Sequence, residues 1–312
     1  MEAKYLRQAQ RLLAHPLMDT FDFHEKAGVI ENDIFYLWDG TRCRADWVGD
    51  DLIDYIKMVR GMNDPLETRT YLDILAALKD YEIVVFEIGA GGGQFGLHAL
   101  RYHQKVRVVL VEAHSRHYNI TCDHMILNDA TANSQVIHAA VTAEAGKLVR
   151  FCSNAGYGSF IHHEGDTWVP TVSIASLMRD LEIPHLHILH MDIQGAEAEV
   201  LKSVEKVLKA TRISYLFVST HNETLHLECK HTLVKHRYGL LVDNSPAEST
   251  IGGDGLIVAR VPTKPIKENI RLRNKQSMVK RYRRAITRRL GNFFNTLGTQ
   301  LEIISDNNKY TD

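Results

Sequence analysis

From Val84 onward the chain alternates short apolar runs with helical patterns, and this alternation constrains the fold more than any other feature. The runs are VVFEI (84–88), VRVVLV (106–111), SQVIHAAV (134–141), HLHILHM (185–191), ISYLFVS (213–219) and GLIVARV (255–261). Each is short, and too evenly apolar for a strand with one wet face, so each predicts a strand buried on both sides. Helical spacing lies between them; over 196–209, Ala196, Val200, Leu201, Val204, Val207 and Leu208 share one side. The pattern predicts an α/β fold, a doubly wound and mostly parallel sheet with helices on both faces. Ligands of such sheets bind beyond the carboxyl ends of the strands, and candidate chemistry is sought there.

The first 65 residues read differently. Leu6, Ala9, Leu12 and Leu13 predict a short amphipathic helix over 4–14. IFYLWDGTRCR (34–44) predicts a hairpin turning on the pair Asp39-Gly40. Helical patterns follow near 50–60 and 65–79, the second burying Leu66, Tyr71, Leu72, Ile74, Leu75 and Leu78. Residues 1–65 are expected to cap the larger domain (66–262) or to form a homo-oligomer contact. Trp38 and Trp47 there either pack internally or face a sugar.

Charge divides the chain again. Residues 264–290 hold 11 Lys and Arg against Glu268 alone, so a net charge of −1 hides a +10 segment on a body of −11. Within the terminal segment 263–312, Val279, Tyr282, Ile286, Leu290, Phe293, Leu297 and Leu301 recur at helical spacing beside Lys280, Arg281, Arg283, Arg284, Arg288 and Arg289. A basic amphipathic helix of this kind lies on an anionic membrane surface or packs on a partner subunit. Nucleic acid is not the expected partner. Cys43, Cys122, Cys152 and Cys229 are far apart and read as reduced thiols. The opening MEAKYLRQAQRLLAH lacks the apolar core of a signal peptide, and no run approaches the roughly 20 apolar residues of a membrane span. A cytoplasmic location is expected, with peripheral attachment to the inner membrane surface as an option.

The first buried run ends in Glu87-Ile-Gly89-Ala90-Gly91-Gly-Gly93-Gln94-Phe95. Glycines suit a backbone that turns sharply against a ligand. Glu87 is placed to accept from an ammonium group or a bound water. Glu112 ends the second run, where a carboxylate accepts from the hydroxyls of an adenosine ribose. A dinucleotide makes similar demands, and Gly91-x-Gly93-x-x-Gly96 satisfies its fingerprint. That fingerprint should begin at the strand end, which is Gly89; counted from there, its third glycine position is Gln94. An acid at Glu87 also gains nothing from a pyrophosphate. The residues favour S-adenosylmethionine, with a nicotinamide or flavin nucleotide and a ligand-free turn as the remaining readings.

FEIGAGGGQFGLHAL, AAVTAEAGKLVRF with VPTVSIASL, and HMDIQGAEAEVL (190–201) together resemble the FkbM-type methyltransferases over about residues 66–261. Glu87 stands where that family usually has aspartate, Gly91 where it has asparagine, and Gln194 where it has an acid before glycine. The resemblance implies a seven-stranded Rossmann-like methyltransferase fold, S-adenosylmethionine as cofactor, and O-methylation of a sugar, glycan or related metabolite. Glu87, Gly89, Ala90, Gly91, Gly93, Gln94, Phe95, Glu112, Ala113, Ala139 and Asp192 are the candidate donor-binding residues.

A hydroxyl acceptor needs a base as its oxygen attacks. Asp192 follows HLHILHM and His221 follows ISYLFVS, so both stand at tips of strands expected to be neighbours. They are the candidate catalytic pair; the competing readings are a helix cap for Asp192 and an ordinary histidine for His221. No metal is assigned, the variant being Mg²⁺ on Asp192, His221 and Asn222. Glu197 reads as a carboxylate favoured at a helix start. Asn154–Ser159 is a glycine-rich loop that either closes on the ligands or turns at the surface. Tyr118 either stacks near adenosine or packs in the core.

Overall fold

A computed structural model describes residues 3–153, 156–249 and 254–261. In chain order the elements are α1 (Ala3–Leu13), β1 (Ile30–Glu31), β2 (Ile34–Tyr36), β3 (Arg42–Arg44), α2 (Asp50–Met58), α3 (Pro65–Ala77), β4 (Ile83–Ile88), α4 (Gln94–Tyr102), β5 (Val106–Glu112), α5 (Ser115–Leu127), β6 (Ser134–His138) and β7 (Ala140–Val141). They continue as β8 (Leu148–Cys152), β9 (Phe160–Ile161), β10 (Thr167–Val172), α6 (Ile174–Asp180), β11 (Leu186–Met191), α7 (Glu197–Ser203), α8 (Glu205–Lys209), β12 (Ile213–Thr220), α9 (Glu223–Lys235), β13 (Gly239–Asn244) and β14 (Gly255–Arg260).

Seven strands form the main sheet in the order β13-β14-β12-β11-β4-β5-β6. Those from β12 to β6 are parallel, and β14 runs antiparallel to both its neighbours. Strands β11 and β12 are buried at every position, as the unbroken apolar runs require. The winding reverses between β4 and β11, so their carboxyl ends diverge into the crevice where such sheets bind ligands.

The expected α/β architecture is present, with four local corrections. The hairpin pairs Ile34 with Arg44 and Tyr36 with Arg42, but residues 37–41 form a longer loop in place of the two-residue turn. Asp39 is buried there, its Oδ1 accepting from Thr41 N and its Oδ2 lying 3.2 Å from His98 Nδ1; those partners, not turn propensity, hold it. The run 134–141 is two strands, because β7 leaves the main sheet to pair with β10 in a smaller one of order β7-β10-β8-β9. The helix over 196–209 divides at Val204 into α7 and α8. Strand β13 is absent from the six apolar runs, since GLLVDN ends in polar residues.

The first 65 residues share the core of the larger domain. Leu12, Phe35, Trp38 and Val59 belong to the same buried cluster as Tyr71, Phe86 and Phe217. Trp38 packs edge-on to Phe21 and is stacked with Tyr102 on α4. The basic amphipathic segment 264–301 lies outside the described residues. Among the described residues no helix is long and apolar enough to cross a membrane.

Candidate active site

A cavity of about 400 Å³ opens at the carboxyl edge of the sheet. Its floor is the loop after β4 and the tip of β5. Gly89, Ala90, Gly91, Gln94 and Phe95 line it from the first, Glu112 and Ala113 from the second, and Ala139 from the end of β6. Asp192 enters from β11, while Trp47, Val48, Tyr55 and Asp64 close it from the N-terminal region. Of the expected donor residues, Gly93 alone is off the cavity wall. A Cβ there would meet Leu110, Met125 and Thr121 side chains, so Gly93 packs α4 toward β5 and α5.

The glycines of the loop have distinct reasons. Gly89 holds φ +76°, and a Cβ on it would fall 1.8 Å from the Asp192 carbonyl oxygen, so β4 and β11 approach this closely only with glycine. Gly91 holds φ +61° and donates its N–H to Glu112 Oε2 at 2.7 Å. Glu112 Oε1 accepts from His114 N, also at 2.7 Å. The carboxylate is thus fixed by two backbone bonds, and each oxygen retains a lone pair for a ribose hydroxyl. Burial raises the Glu112 pKa against the opposing pull of these N–H groups. This carboxylate, the glycine turn beside it and the cavity in front fit S-adenosylmethionine.

Glu87 also lines the cavity and is held by two backbone bonds. Its Oε1 accepts from Phe95 N at 3.1 Å and its Oε2 from Gly96 N at 2.7 Å, satisfying N–H groups at the start of α4. Burial pushes its carboxyl up to about 7 despite those bonds. His190, in register with Glu87, stacks on Phe95 at 4.1 Å and places Nε2 3.0 Å from Glu67 Oε1. Burial opposes charge on His190, but the Glu67 and Glu87 carboxylates outweigh it and raise its pKa.

Asp192 and His221 are brought together. His221 Nε2 is 3.1 Å from Asp192 Oδ1 and 3.5 Å from Glu197 Oε1, and its Nδ1 is 3.1 Å from Asp254 Oδ1. Burial lowers the imidazole pKa; the three adjoining carboxylates overcome this and push it up to about 12. Asp192 borders the cavity, whereas His221 stands beside Asp192 and off the wall. Asp192 does not cap the following helix, whose N-cap is Ala196 with no side-chain bond. Gln194, at φ +58°, donates from Nε2 to Asp192 Oδ1 at 3.0 Å, so the amide supports the carboxylate that an acid at this position would repel. Glu197 folds back to accept from Ile193 N and Gly195 N. Asn222 caps α9 by accepting from Leu225 N.

Asp254, Glu67, Asp64 and His190 were not singled out from sequence. Asp254 had one available signal: it precedes the sole antiparallel strand of the main sheet, whose amino end lies beside the carboxyl ends of the others, with Gly255 opposite Thr220. Of the described part of the 154–159 loop, Gly156 and Ser159 line the cavity. Tyr118 stacks on His138 at 5.0 Å and is not on the cavity wall.

Comparison with known proteins places this geometry. The model of the Methyltransferase FkbM domain matches residues 87–239. Among solved structures, the precorrin-6y C5,15-methyltransferase of Geobacter metallireducens GS-15 aligns at 12% identity and TM-score 0.40, covering 62% of this chain and 87% of that one. The N-terminal domain of human METTL16, in complex with SAH, aligns at 9% identity and TM-score 0.43, covering 82% and 94%. No curated protein matches the sequence. Fold and cofactor are those of the S-adenosylmethionine-dependent methyltransferases. Within them, the segment 87–239 matches the FkbM methyltransferase domain, the family the sequence resembles.

Proposed function

We propose that the chain is an O-methyltransferase acting on a hydroxyl of a sugar, glycan or related metabolite. The observation that carries this reading is the Asp192 carboxylate, held on the cavity wall by Gln194 and His221. S-adenosylmethionine supplies an electrophilic methyl group on a sulfonium. Glu112 would hold the ribose hydroxyls, the backbone of Gly89–Gly91 would line the donor, and Phe95 and Ala139 would shape its pocket. Displacement at the methyl carbon is in-line, so most of the acceleration comes from alignment. As the new C–O bond forms and the S–C bond breaks, the acceptor oxygen becomes strongly acidic. Even a weakly basic carboxylate then takes the proton, and Asp192 is the group placed to receive it. His221 does not reach the cavity and acts as the neighbour that fixes Asp192.

The acidic wall of Asp64, Glu67 and Asp192 supports a polyol acceptor, because carboxylates accept from hydroxyl groups. The test is calorimetry with S-adenosylhomocysteine and with NAD, followed by an acceptor screen for S-adenosylhomocysteine release. Binding of the first and turnover on polyhydroxylated acceptors are expected. Binding of NAD alone would overturn the donor assignment, and turnover confined to amines would overturn the acceptor class.

A further inference from the structure

Asn222, one of the candidate magnesium ligands, caps α9 through its Oδ1. Glu197 stands in its place. Asp192, Glu197 and His221 each present one ligand atom, and these atoms lie within 4.8 Å of one another. Glu197 is fully buried, and backbone bonds of 2.8 and 2.9 Å from Ile193 and Gly195 fix its carboxylate while leaving each oxygen a lone pair. Nδ1 of His221 bonds with Asp254 Oδ1; a proton donated there turns the Nε2 lone pair toward the other two carboxylates. That Nε2 is a buried atom 3.1 and 3.5 Å from their oxygens, with hydrogen-bond geometry to neither. Charge points the same way. Three carboxylates converge on one imidazole, and a cation is a natural occupant of such a donor set.

We infer that Asp192, Glu197 and His221 form a binding site for a divalent first-row transition-metal cation, with Asp254 orienting the imidazole from behind. A mixed imidazole and carboxylate set suits Mn²⁺, Fe²⁺, Co²⁺ or Zn²⁺ better than Mg²⁺, which prefers oxygen ligands and retained water. On binding, the cation replaces any proton on Nε2, and that proton leaves to solvent. Three protein ligands leave coordination positions open, and adjoining oxygens of a polyol have the chemistry to fill them. The inference stands on the donor set and is separate from the identity of the acceptor.

The test uses the full chain, treated with chelator and titrated with MnCl₂ under electron paramagnetic resonance. One Mn²⁺ per chain is expected, with coupling to an imidazole nitrogen. His221→Gln removes that coupling, and both it and Asp192→Asn weaken binding by about tenfold or more. Far-ultraviolet circular dichroism and thermal unfolding of each variant establish that it is folded. His162, His163 and Glu164 form a second candidate cluster at the surface, so the variant carrying His162→Ala and His163→Ala retains the signal. Absence of Mn²⁺ binding at millimolar concentration overturns the inference, as does full affinity with nitrogen coupling in His221→Gln. Loss of the signal in the His162/His163 variant overturns it too. Donor binding without Mn²⁺ binding leaves the methyltransferase assignment intact and removes this site alone.

Discussion

His221 Nε2 lies 3.1 Å from Asp192 Oδ1 at the tips of two parallel strands, β12 and β11, which remain paired as far as Met191 and Val218. The pairing register brings the two side chains side by side, and Gln194 completes the support of the carboxylate from its own loop. Asp192→Asn keeps the volume and removes the proton acceptor. Turnover is expected to fall by about 10²–10⁴-fold, with S-adenosylhomocysteine affinity unchanged by calorimetry. A fall in donor affinity that accounts for the whole loss would assign Asp192 to binding instead.

Glu112 couples the loop after β4 to the tip of β5 through Gly91 N and His114 N. Glu112→Gln can present an oxygen to one of these groups but sets its NH₂ against the other. Donor affinity is expected to fall by about tenfold, the effect of roughly 1.4 kcal/mol. Isothermal titration with S-adenosylhomocysteine reads this directly, and an unchanged constant would separate Glu112 from the ribose.

Gly89→Ala tests a different source of the glycine requirement. The added Cβ meets the Asp192 carbonyl oxygen at 1.8 Å in a left-handed backbone. The conformational penalty alone is about 1–2 kcal/mol, and the clash forces β4 and β11 apart. Thermal unfolding without donor is expected to shift down by more than about 3 °C. If the donor were the sole reason for glycine here, the donor-free protein would show no shift.

Asp64 provides a pH test. Burial, then the nearby Glu67 carboxylate, raises its pKa to about 7, although its side chain accepts from Glu67 N as the N-cap of α3. A folded-state pKa above the unfolded value of about 3.9 means that the native chain holds a proton the unfolded chain releases. Its contribution is therefore most favourable at low pH and declines as pH rises toward 7. Asn retains the cap and cannot ionise. Asp64→Asn is expected to raise Tm by about 2–4 °C at pH 8 and by less at pH 5. An equal shift at both pH values would contradict the raised pKa.

The central strands were legible because β4, β5, β11 and β12 are buried on both faces and carry no competing pattern. The edge was harder to read: β13 carries Asp243 next to its last residue, where it pairs with His226 and Lys230, and these polar contacts obscure the strand in the sequence. Asp39-Gly40 has the composition of a hairpin turn, yet Asp39 is drawn inward by His98 from a helix far along the chain. Within the site, the positions of Asp192 and Glu112 follow from where apolar runs end. Glu87 shows the limit of that reasoning, since strand position does not reveal that Phe95 and Gly96 will claim its oxygens. Asp254 and Glu67 belong to elements distant in sequence, and their approach to His221 and His190 is a product of packing.

The most direct test is transfer from S-adenosylmethionine carrying a CD₃ group to a panel of sugars and glycans, with the labelled position read by mass spectrometry and NMR. The account predicts an O–CD₃ ether on a hydroxyl of a polyhydroxylated acceptor, formed by the wild-type chain and lost in Asp192→Asn. Label on nitrogen or carbon, or full transfer by Asp192→Asn, would contradict it.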